Sequence, residues 1–380
     1  MKKVLLITNI PNPYRVPLFN VMSKAFAMEN YHLKVIFGSE SYKRRLFTLD
    51  KSELKFDYRI LNDQAHQISS NEEKTVFLYK GLSSVLKEEK PDIIIVSGFS
   101  SASLKVMWFS LKNKIPYIIW SGSIEKENRN SSFIRKIQRK ILVKFSSSFV
   151  AYGTLAKNYL MSIGAKDSRV SIAMNTVDTD FYYSETNKIR NSHNETGTPH
   201  FLYLGYLVPR KNVNLLLAAI QQLSNKRRDF ILDIVGDGSD KKELETFVEN
   251  QKIDDLVKFH GFKQKSELPK FLGSSRAMLF QTDFDIWGLV LNEAMASGIP
   301  CLASKNAGAT SDLVVENETG FAINYENIAE VVEKIEFFID NREKAAQMGQ
   351  RAADFIRTNV NLETAANGFL KAVKIASGNN

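Results

Sequence analysis

The chain has 380 residues, of which 44% are hydrophobic and 24% are charged, and its formal net charge is +9. This length can hold two domains of ordinary size, each with its own core. No apolar run reaches the length of about 18 residues that a membrane-spanning helix needs, and the opening MKKVLLITNIPNPYR lacks the apolar length and the cleavage site of a signal peptide. The single cysteine, Cys301, excludes a disulfide within the chain. We therefore expect a cytoplasmic protein.

Positive charge is concentrated in the first half of the chain. Residues 1–183 contain 28 Lys+Arg and 16 Asp+Glu, a balance of +12, whereas the remainder contains 23 and 26, a balance of −3. A basic half suits nucleic acid, an anionic membrane surface or phosphorylated substrates, and charge alone does not choose among them.

Short β-branched runs alternate with segments of helical period along the first half. The runs have the length and composition of strands buried on both faces, and their alternation with helices is typical of a parallel α/β sheet. The predicted strands are VLLIT (4–8), HLKVIFG (32–38), DIIIVSG (92–98), YIIWSG (117–122), SFVAYG (148–153) and VSIAMN (170–175).

The alternation of predicted strands and helices stops at residues 184–199. These residues are polar, lack an apolar period and are predicted to form a linker. The alternation resumes with FLYLG (201–205), FILDIVG (230–236), VKFHG (257–261), AMLFQ (277–281), PCLAS (300–304) and GFAIN (320–324). We predict two doubly wound Rossmann-like α/β domains, at 1–183 and 200–355, that face each other across a cleft. Residues 356–380 are predicted to form a helix that can pack back on the N-terminal domain.

Glycine patterns in the second half bear on nucleotide binding. The GDG at 236–238 follows a predicted strand, but Lys241 stands where a dinucleotide fingerprint needs glycine, and the sequence contains no P-loop. Instead, Gly288-Leu289 begins a predicted helix whose backbone N–H groups can bind a diphosphate without a metal.

Two acids flank that helix start, with Asp285 before it and Glu293 one turn inside it. A carboxylate inside the helix can accept hydrogen bonds from two vicinal hydroxyls, such as a ribose diol, and one before the helix can accept from the hydroxyls of a sugar. This spacing favours a sugar nucleotide that lies across the helix start. The ordinary alternative is a solvated helix with an acid near each end.

At these residues the sequence resembles the retaining glycosyltransferases of family 4, which have the GT-B fold. The resemblance extends over nearly the whole chain, and it is greatest to a branch that builds bacterial surface polysaccharides. Its most specific element is an E-x7-E motif, here Asp285-x7-Glu293 within DIWGLVLNEAMASGIP (285–300). The other matching segments are GYLVPRK (205–211), DIVGDG (233–238), VKFHGF (257–262), ASKNAGATSDLV (303–314), NIPNPYRVPLF (9–19), WSGS (120–123), AYGTLAKNYL (151–160) and NTVDTDFY (175–182).

The resemblance implies front-face substitution with retention, in which the leaving phosphate oxygen helps to take the acceptor proton and neither a metal nor another cofactor takes part. The implied catalytic residues are Lys211 at the diphosphate, Asp285 at the sugar and Glu293 at the ribose. The implied donor site adds Gly205, Arg210, Gly236, Phe262, Trp287, Gly288 and Leu289, with the base bound through the backbone of Phe262. The expected acceptor site lies in the N-terminal domain at Tyr14, Arg15, Trp120, Ser121 and Ser123.

The sequence departs from the family pattern at three positions. The first acid is Asp285 rather than Glu, Tyr206 replaces a phosphate-binding arginine with Arg210 nearest to it, and residues 120–123 lack the family's histidine. Two alternatives therefore remain open, a pseudoenzyme that binds sugar nucleotides without turnover and a sugar-nucleotide epimerase of the same fold. The missing histidine argues against the epimerase.

Two D-x-D sequences, at 178–180 and 283–285, match the metal-diphosphate motif of the other glycosyltransferase fold. The first ends a stretch where an acid usually caps the next turn, and the second precedes the helix start described above. We therefore expect activity without a metal.

The segment SFIRKIQRKILVKF (132–145) combines an apolar stripe with a basic face. Either the stripe packs on the sheet and the basic face is solvated, or the helix rests on anionic lipid, where each basic residue contributes about 1 kcal/mol. The segment lacks interleaved aromatics, so nucleic-acid binding is not expected. The stripe consists of Phe133, Ile134, Ile137, Ile141 and Leu142, and the basic face of Arg135, Lys136, Arg139, Lys140 and Lys144.

Together these observations predict a glycosyltransferase of the hexosyl type, peripheral on the inner face of the cell membrane. The expected partners are a nucleotide-sugar donor, a lipid-linked saccharide acceptor of polysaccharide biosynthesis and an anionic membrane surface.

Overall fold

A computed structural model describes residues 1–41, 49–63, 77, 79–128, 132–192 and 197–378, apart from the side chains of residues 127, 128 and 192. The chain divides into two compact units, one formed by Met1–Val177 with Leu362–Asn380 and the other by Asp178–Asn361. Each unit has a parallel sheet with its own apolar core. Within the ranges described, no helix is both long enough and apolar enough to cross a bilayer.

The strands of the first unit are β1 (Lys2–Thr8), β2 (Tyr31–Phe37), β3 (Asp57–Ile60), β4 (Ile93–Ser97), β5 (Tyr117–Ser121), β6 (Ser148–Ala151) and β7 (Val170–Ile172). They form one parallel sheet in the order β3-β2-β1-β4-β5-β6-β7. The six predicted strands are confirmed. The edge strand β3 was not predicted, because its four residues alternate between exposed and half-buried and contain no apolar run.

The helices that follow these strands are α1 (Val16–Met28), α2 (Leu82–Glu89), α3 (Ser101–Asn113), α4 (Glu125–Asn128), α5 (Phe133–Phe145) and α6 (Thr154–Ser162). Helix α1 packs on one face of the sheet. Helices α2, α3, α5 and α6 pack on the other face, where Leu86, Val106, Leu142 and Leu160 share one core.

Helix α5 contradicts one interpretation of its apolar stripe. Leu142 is buried together with Val143, but the other four members of the stripe are exposed to solvent. The stripe therefore does not pack on the sheet, because α5 reaches this core only through its C-terminal turn.

The second unit contains the strands β8 (His200–Leu204), β9 (Ile231–Val235), β10 (Val257–Gly261), β11 (Ser275–Phe280), β12 (Cys301–Ser304) and β13 (Gly320–Ile323). Its helices are α7 (Thr179–Ser192), α8 (Val213–Ser224), α9 (Lys241–Asn250), α10 (Leu268–Ser274), α11 (Leu289–Ala296), α12 (Thr310–Leu313), α13 (Ile328–Asp340) and α14 (Arg342–Asn359). The parallel sheet has the order β10-β9-β8-β11-β12-β13, and all six predicted strands are confirmed. The chain reverses its direction of travel across the sheet between β8 and β11, and doubly wound sheets bind ligands at such a point.

The predicted linker is wrong for residues 184–192, because these residues belong to α7. Helix α7 packs on α10 and α11. It buries Tyr182 and Thr186, one turn apart, and places Ile189 against Gly273. A buried threonine adds nothing to an apolar pattern, so this helical period was not detected.

The last helix, α15 (Leu362–Ala376), returns to the first unit and packs on α1, β6 and β7. The Ser148 hydroxyl donates to the Ala372 carbonyl at 2.7 Å, and the Ser171 hydroxyl donates to the Gly368 carbonyl at 2.8 Å. The two units therefore divide at Asp178 and Leu362, whereas the sequence pattern placed these divisions at 184 and 356.

Candidate active site

The predicted donor residues of the second unit follow four neighbouring strands. Gly205 follows β8, Gly236 follows β9, Phe262 follows β10 and Asp285 lies in the loop after β11. Because parallel strands end at the same edge of a sheet, the structure brings these residues to one edge, beside the reversal between β8 and β11.

The loops after β8 and β9 approach each other more closely than side chains allow. A Cβ atom on Gly236 would lie 1.8 Å from the carbonyl oxygen of Gly205, and the Gly236 φ of +158° also favours glycine. The Gly205 N–H donates to the Val235 carbonyl and the Gly236 N–H donates to the Gly261 carbonyl, each at 3.0 Å. These contacts hold the loops after three strands at fixed positions along the sheet edge.

Lys211 and Asp285 form a largely buried ion pair at this edge, in which the Asp285 side chain is 21% exposed. Lys211 is the last residue of a short 3-10 turn and is 4% exposed. Its Nζ donates to Asp285 Oδ2 at 2.6 Å. Arg210 Nη1 lies 3.9 Å from the same oxygen and donates to the Phe284 carbonyl at 3.1 Å. Arg210 therefore lies within reach of the residues expected at the diphosphate.

The ionisation of the pair follows from burial and from mutual attraction. Burial lowers the pKa of the Lys211 ammonium, and Asp285 partly offsets this effect. Burial alone would raise the pKa of Asp285, but the charges of Lys211 and Arg210 hold it below its ordinary value. Asp285 is therefore a carboxylate at neutral pH.

The loop after β12 fixes the backbone around Asp285. The Gly308 N–H donates to the Asp285 carbonyl at 3.0 Å, and the Ala309 N–H donates to the Trp287 carbonyl at 2.9 Å. The Asp285 N–H in turn donates to the Asn306 carbonyl at 3.4 Å. The segment 303–314, which matched the family in sequence, therefore supports the backbone around Asp285.

Helix α11 begins directly after Gly288, as the sequence predicted. Gly288 has a φ of +102°, and a Cβ atom on it would lie 2.9 Å from the Phe280 ring. Gly288 has no side chain that could cap the first N–H groups of the helix, and such groups bind anions well. The Trp287 indole is 4% exposed and donates to Asn292 Oδ1 at 2.9 Å, so this side chain is not presented to a ligand.

Glu293 lies one turn inside α11 and has a partner that sequence reasoning missed. The Tyr182 hydroxyl, on α7, donates to the Glu293 carboxylate. Burial raises the pKa of Glu293 to about 7, although the Tyr182 hydrogen bond and the Lys265 charge lower it. Lys265 Nζ also lies 4.3 Å from the centroid of the Phe181 ring. Tyr182 stood within the matching segment 175–182, but the predicted boundary at 183 assigned it to the other domain.

The acids of the two D-x-D sequences have separate partners. Asp178 Oδ1 accepts from the Phe181 N–H at 3.1 Å, which confirms that this acid caps the next turn. The Asp283 carboxylate accepts from Asn212 at 2.9 Å and from Gln281 at 3.0 Å, whereas Asp285 pairs with Lys211. Across the described part of the chain, no three His, Cys, Asp or Glu side chains are grouped closely enough to hold a metal.

The expected acceptor residues lie at the carboxyl edge of the first sheet. Arg15 is 7% exposed, and its guanidinium carbon lies 4.0 Å from the centroid of the Trp120 ring. Its Nε donates to the Tyr14 hydroxyl at 3.2 Å, and its Nη2 donates to the hydroxyl of Tyr152, a residue that the sequence did not single out. These contacts hold the Arg15 guanidinium between the Trp120 ring and the two tyrosine hydroxyls.

Trp120 and Ser121 belong to β5 and are buried, so their side chains are not presented at the surface. The Ser121 hydroxyl accepts from the Ser123 N–H at 3.1 Å and shapes the turn after the strand. Tyr14 and Ser123 are half-buried and are the expected acceptor residues that solvent can reach.

The match to a family model lies within the second unit. The family model described as Glycosyl transferases group 1 matches residues 185–355. An uncharacterized glycosyltransferase of Haemophilus influenzae is 30% identical over 166 residues, 44% of this chain and 45% of that protein. A GDP-mannose-dependent alpha-(1-6)-phosphatidylinositol monomannoside mannosyltransferase of Mycobacterium tuberculosis is 26% identical over 200 residues, 50% of this chain and 52% of that protein. The matches thus span about half the length of these relatives.

Structural comparison extends the likeness to the whole chain. The Anabaena protein HepE, solved in complex with UDP and glucose, superposes with a TM-score of 0.75 over 98% of this chain and 100% of that chain, at 17% identity. This likeness confirms the fold class expected from the sequence, which is the GT-B fold with two Rossmann-like units. The structural likeness therefore shows the GT-B fold, and the glycosyltransferase family model matches residues of the second unit.

Proposed function

We propose that the protein is a retaining, metal-independent glycosyltransferase that transfers a sugar from a nucleotide diphosphate donor to a lipid-linked saccharide in the synthesis of a surface polysaccharide. The donor binds at the carboxyl edge of the second sheet, and the reaction takes place on the cytoplasmic side of the membrane. The observation that carries this proposal is the buried Lys211–Asp285 pair beside the start of α11.

The pair and the helix start supply the electrostatics that departure of a nucleoside diphosphate requires. Negative charge develops on the leaving phosphate, and Lys211 and the first amides of α11 are held beside one another before any substrate arrives. Preorganised donors of this kind are typically worth about 2.7 to 4 kcal/mol each in the transition state.

Donor binding changes the partner of Lys211. A bound diphosphate takes the Lys211 ammonium as its counter-ion, and Asp285 then accepts hydrogen bonds from hydroxyls of the transferred sugar. Glu293, one turn further along α11, and Tyr182 of α7 bind the ribose. The two acids thereby fix the two ends of the donor.

The charges of the two units support a lipid-linked acceptor. The first unit contains 30 Lys+Arg and 15 Asp+Glu, and the second contains 21 and 27, so the net charges are +15 and −6. This contrast is larger than the one at the predicted boundary, and it suits a first unit that works at an anionic surface. The mycobacterial relative acts, by its name, on a phosphatidylinositol mannoside, which is also a lipid-linked saccharide.

Calorimetric titration of nucleoside diphosphates into matched variants tests the assignment of the acids. We expect Glu293→Ala to weaken binding about tenfold or more, because the ribose loses a charged acceptor. Asp285→Ala should retain affinity for the nucleoside diphosphate but lower turnover of the complete donor. Glu249→Ala, on the exposed end of α9, is the control for loss of a helical acid. Loss of affinity in Asp285→Ala with full affinity in Glu293→Ala would show that the two roles are reversed.

A further inference from the structure

Exposed apolar side chains of the first unit are concentrated on three neighbouring helices. Among the described residues, nine of the twelve large apolar side chains that are exposed lie on α3, α5 and α6. Contiguous apolar patches of this kind mark interaction surfaces. The nine residues, which together we call the docking face, are Trp108, Leu111, Phe133, Ile134, Ile137, Ile141, Phe145, Leu155 and Met161.

The three helices lie side by side on the same face of the sheet. They share one core, and α3 contacts α5. Leu111 of α3 and Phe145 of α5 line the same cavity. Arg139 of α5 donates to the Tyr159 hydroxyl of α6 at 2.8 Å. The docking face is therefore a single surface.

The spacing of the apolar residues makes this surface a continuous band. Ile134, Ile137, Ile141 and Phe145 follow one another at intervals of three and four residues, so they lie along one side of α5. Phe145 brings this side next to Leu111, and Trp108 lies one turn before Leu111 on α3.

The charge on these three helices has one sign, although Asp167, which follows α6, pairs with Lys157 at 2.6 Å. Helices α3, α5 and α6 contain eight Lys+Arg and no Asp or Glu within their bounds. The eight are Lys105, Lys112, Arg135, Lys136, Arg139, Lys140, Lys144 and Lys157. Pairing this face with a second copy would bring like charges together, whereas an anionic bilayer offers opposite charge and an apolar layer beneath it.

We infer that the docking face inserts into the interface of an anionic bilayer while the basic residues of the same three helices bind the lipid headgroups. Helix α5 ends just before β6 begins, so its first residues lie at the opposite, carboxyl edge of the sheet. Phe133 and Ile134, each 77% exposed, therefore bring the edge that holds Tyr14 and Ser123 to the membrane surface. This last step, delivery of a lipid-linked acceptor, rests on the proposed function, whereas docking itself does not.

Tryptophan fluorescence measures docking without donor or acceptor. The chain contains three tryptophans, of which Trp108 is 69% exposed while Trp120 and Trp287 are 2% and 4% exposed. We expect vesicles of phosphatidylcholine with phosphatidylglycerol to shift the emission to shorter wavelength, and brominated acyl chains to quench it. Trp108→Phe should lose the shift but still sediment with the vesicles, because the rest of the band remains.

Two variants separate the apolar and electrostatic contributions in co-sedimentation. Ile134→Ser with Ile137→Ser and Ile141→Ser should lower vesicle binding at every salt concentration. Arg135→Gln with Lys140→Gln and Lys144→Gln should lower binding by about tenfold or more at low salt, and by less at high salt, since salt screens exposed charges. Arg139 is kept in both variants because it joins α5 to α6.

The matched control removes three exposed lysines of the second unit, as Lys242→Gln with Lys270→Gln and Lys344→Gln. This control should sediment like the unaltered chain, and all variants should bind nucleoside diphosphate equally if the second unit is intact. The inference would be overturned if the unaltered protein did not sediment with anionic vesicles, or if the serine variant sedimented with them as well as the unaltered protein does. A concentration-dependent dimer that the serine variants abolish would also overturn it, because a second copy would then cover the face.

Discussion

Lys211 and Asp285 lie 74 positions apart in the chain, and their side chains meet at 2.6 Å. The sequence motifs assigned both residues to the donor, but neither motif showed that they pair with each other. That contact depends on the adjacency of β8 and β11, which are neighbours in the sheet although two other strands separate them in sequence. Pairings of this kind follow from topology rather than from local pattern.

Loss of the Lys211–Asp285 pair should destabilise the protein, and bound nucleoside diphosphate should offset this destabilisation. Asp285→Asn leaves the Lys211 ammonium without its counter-charge, and breaking a buried pair typically costs about 3 to 5 kcal/mol of unfolding free energy. A diphosphate restores the counter-charge, so nucleoside diphosphate should raise the melting temperature of this variant more than that of the unaltered protein. Asp283→Asn, which removes the same charge two residues away, is the control for thermal unfolding. Equal stabilisation of all three proteins would contradict the exchange of partners at Lys211.

The Glu293 carboxyl predicts how nucleotide affinity depends on pH. Its pKa is raised to about 7, so this group is largely protonated below that pH and cannot accept from both ribose hydroxyls. Affinity for nucleoside diphosphate should therefore rise as pH increases through about 7. Tyr182→Phe removes a hydrogen bond that lowers this pKa, so its transition should move to higher pH.

Calorimetric titration at a series of pH values measures this transition. Glu293→Gln should keep only the part of the pH dependence that belongs to ionisation of the phosphate, which has a pKa near 6. An identical pH profile in Glu293→Gln and the unaltered protein would remove Glu293 from the ribose site.

At the scale of elements, the twelve predicted strands were recoverable because each is a short apolar run between turn residues. Strand β3 and helix α7 were missed for a shared reason. Their burial is slight or depends on polar side chains such as Thr186, so their sequences do not show an apolar period. For helix α5 the sequence showed an apolar period but not the surface that this period faces. Its stripe was visible in sequence, but a core-facing stripe and a lipid-facing stripe have the same period.

The loops that join these elements give a test of site geometry. Gly236→Ala should lower the melting temperature and weaken nucleotide binding, because its Cβ would lie 1.8 Å from the Gly205 carbonyl oxygen and would force the loops after β8 and β9 apart. Gly197→Ala is the control, since a Cβ atom there would meet no atom within 4 Å. Thermal unfolding and nucleotide titration of both variants measure the effect. Unimpaired binding by Gly236→Ala would mean that the close approach of the two loops is not needed for the site.

At the scale of the whole molecule, the sequence predicted the GT-B fold and two units but not where the chain passes between them. Helix α7 belongs to the second unit, and it carries Tyr182 to the site beside Glu293. Helix α15 returns to the first unit. A boundary drawn at a polar stretch cannot show either fact, because unit membership depends on which surface a helix packs against. The donor motifs were recoverable because they sit directly after strands, whereas Tyr182 reaches the site through the packing of α7 on α11.

Proton NMR of the donor tests whether the chain turns over a sugar nucleotide without a metal. A thermal-shift screen of UDP-, GDP-, ADP- and TDP-sugars first selects the donor, which is then incubated with the full chain and EDTA. We predict that nucleoside diphosphate accumulates, and that the released sugar appears first with the anomeric configuration of the donor. A donor that binds but remains intact would contradict the account and indicate a sugar-nucleotide-binding protein, and activity that returns only with Mg²⁺ or Mn²⁺ would contradict the metal-independent site.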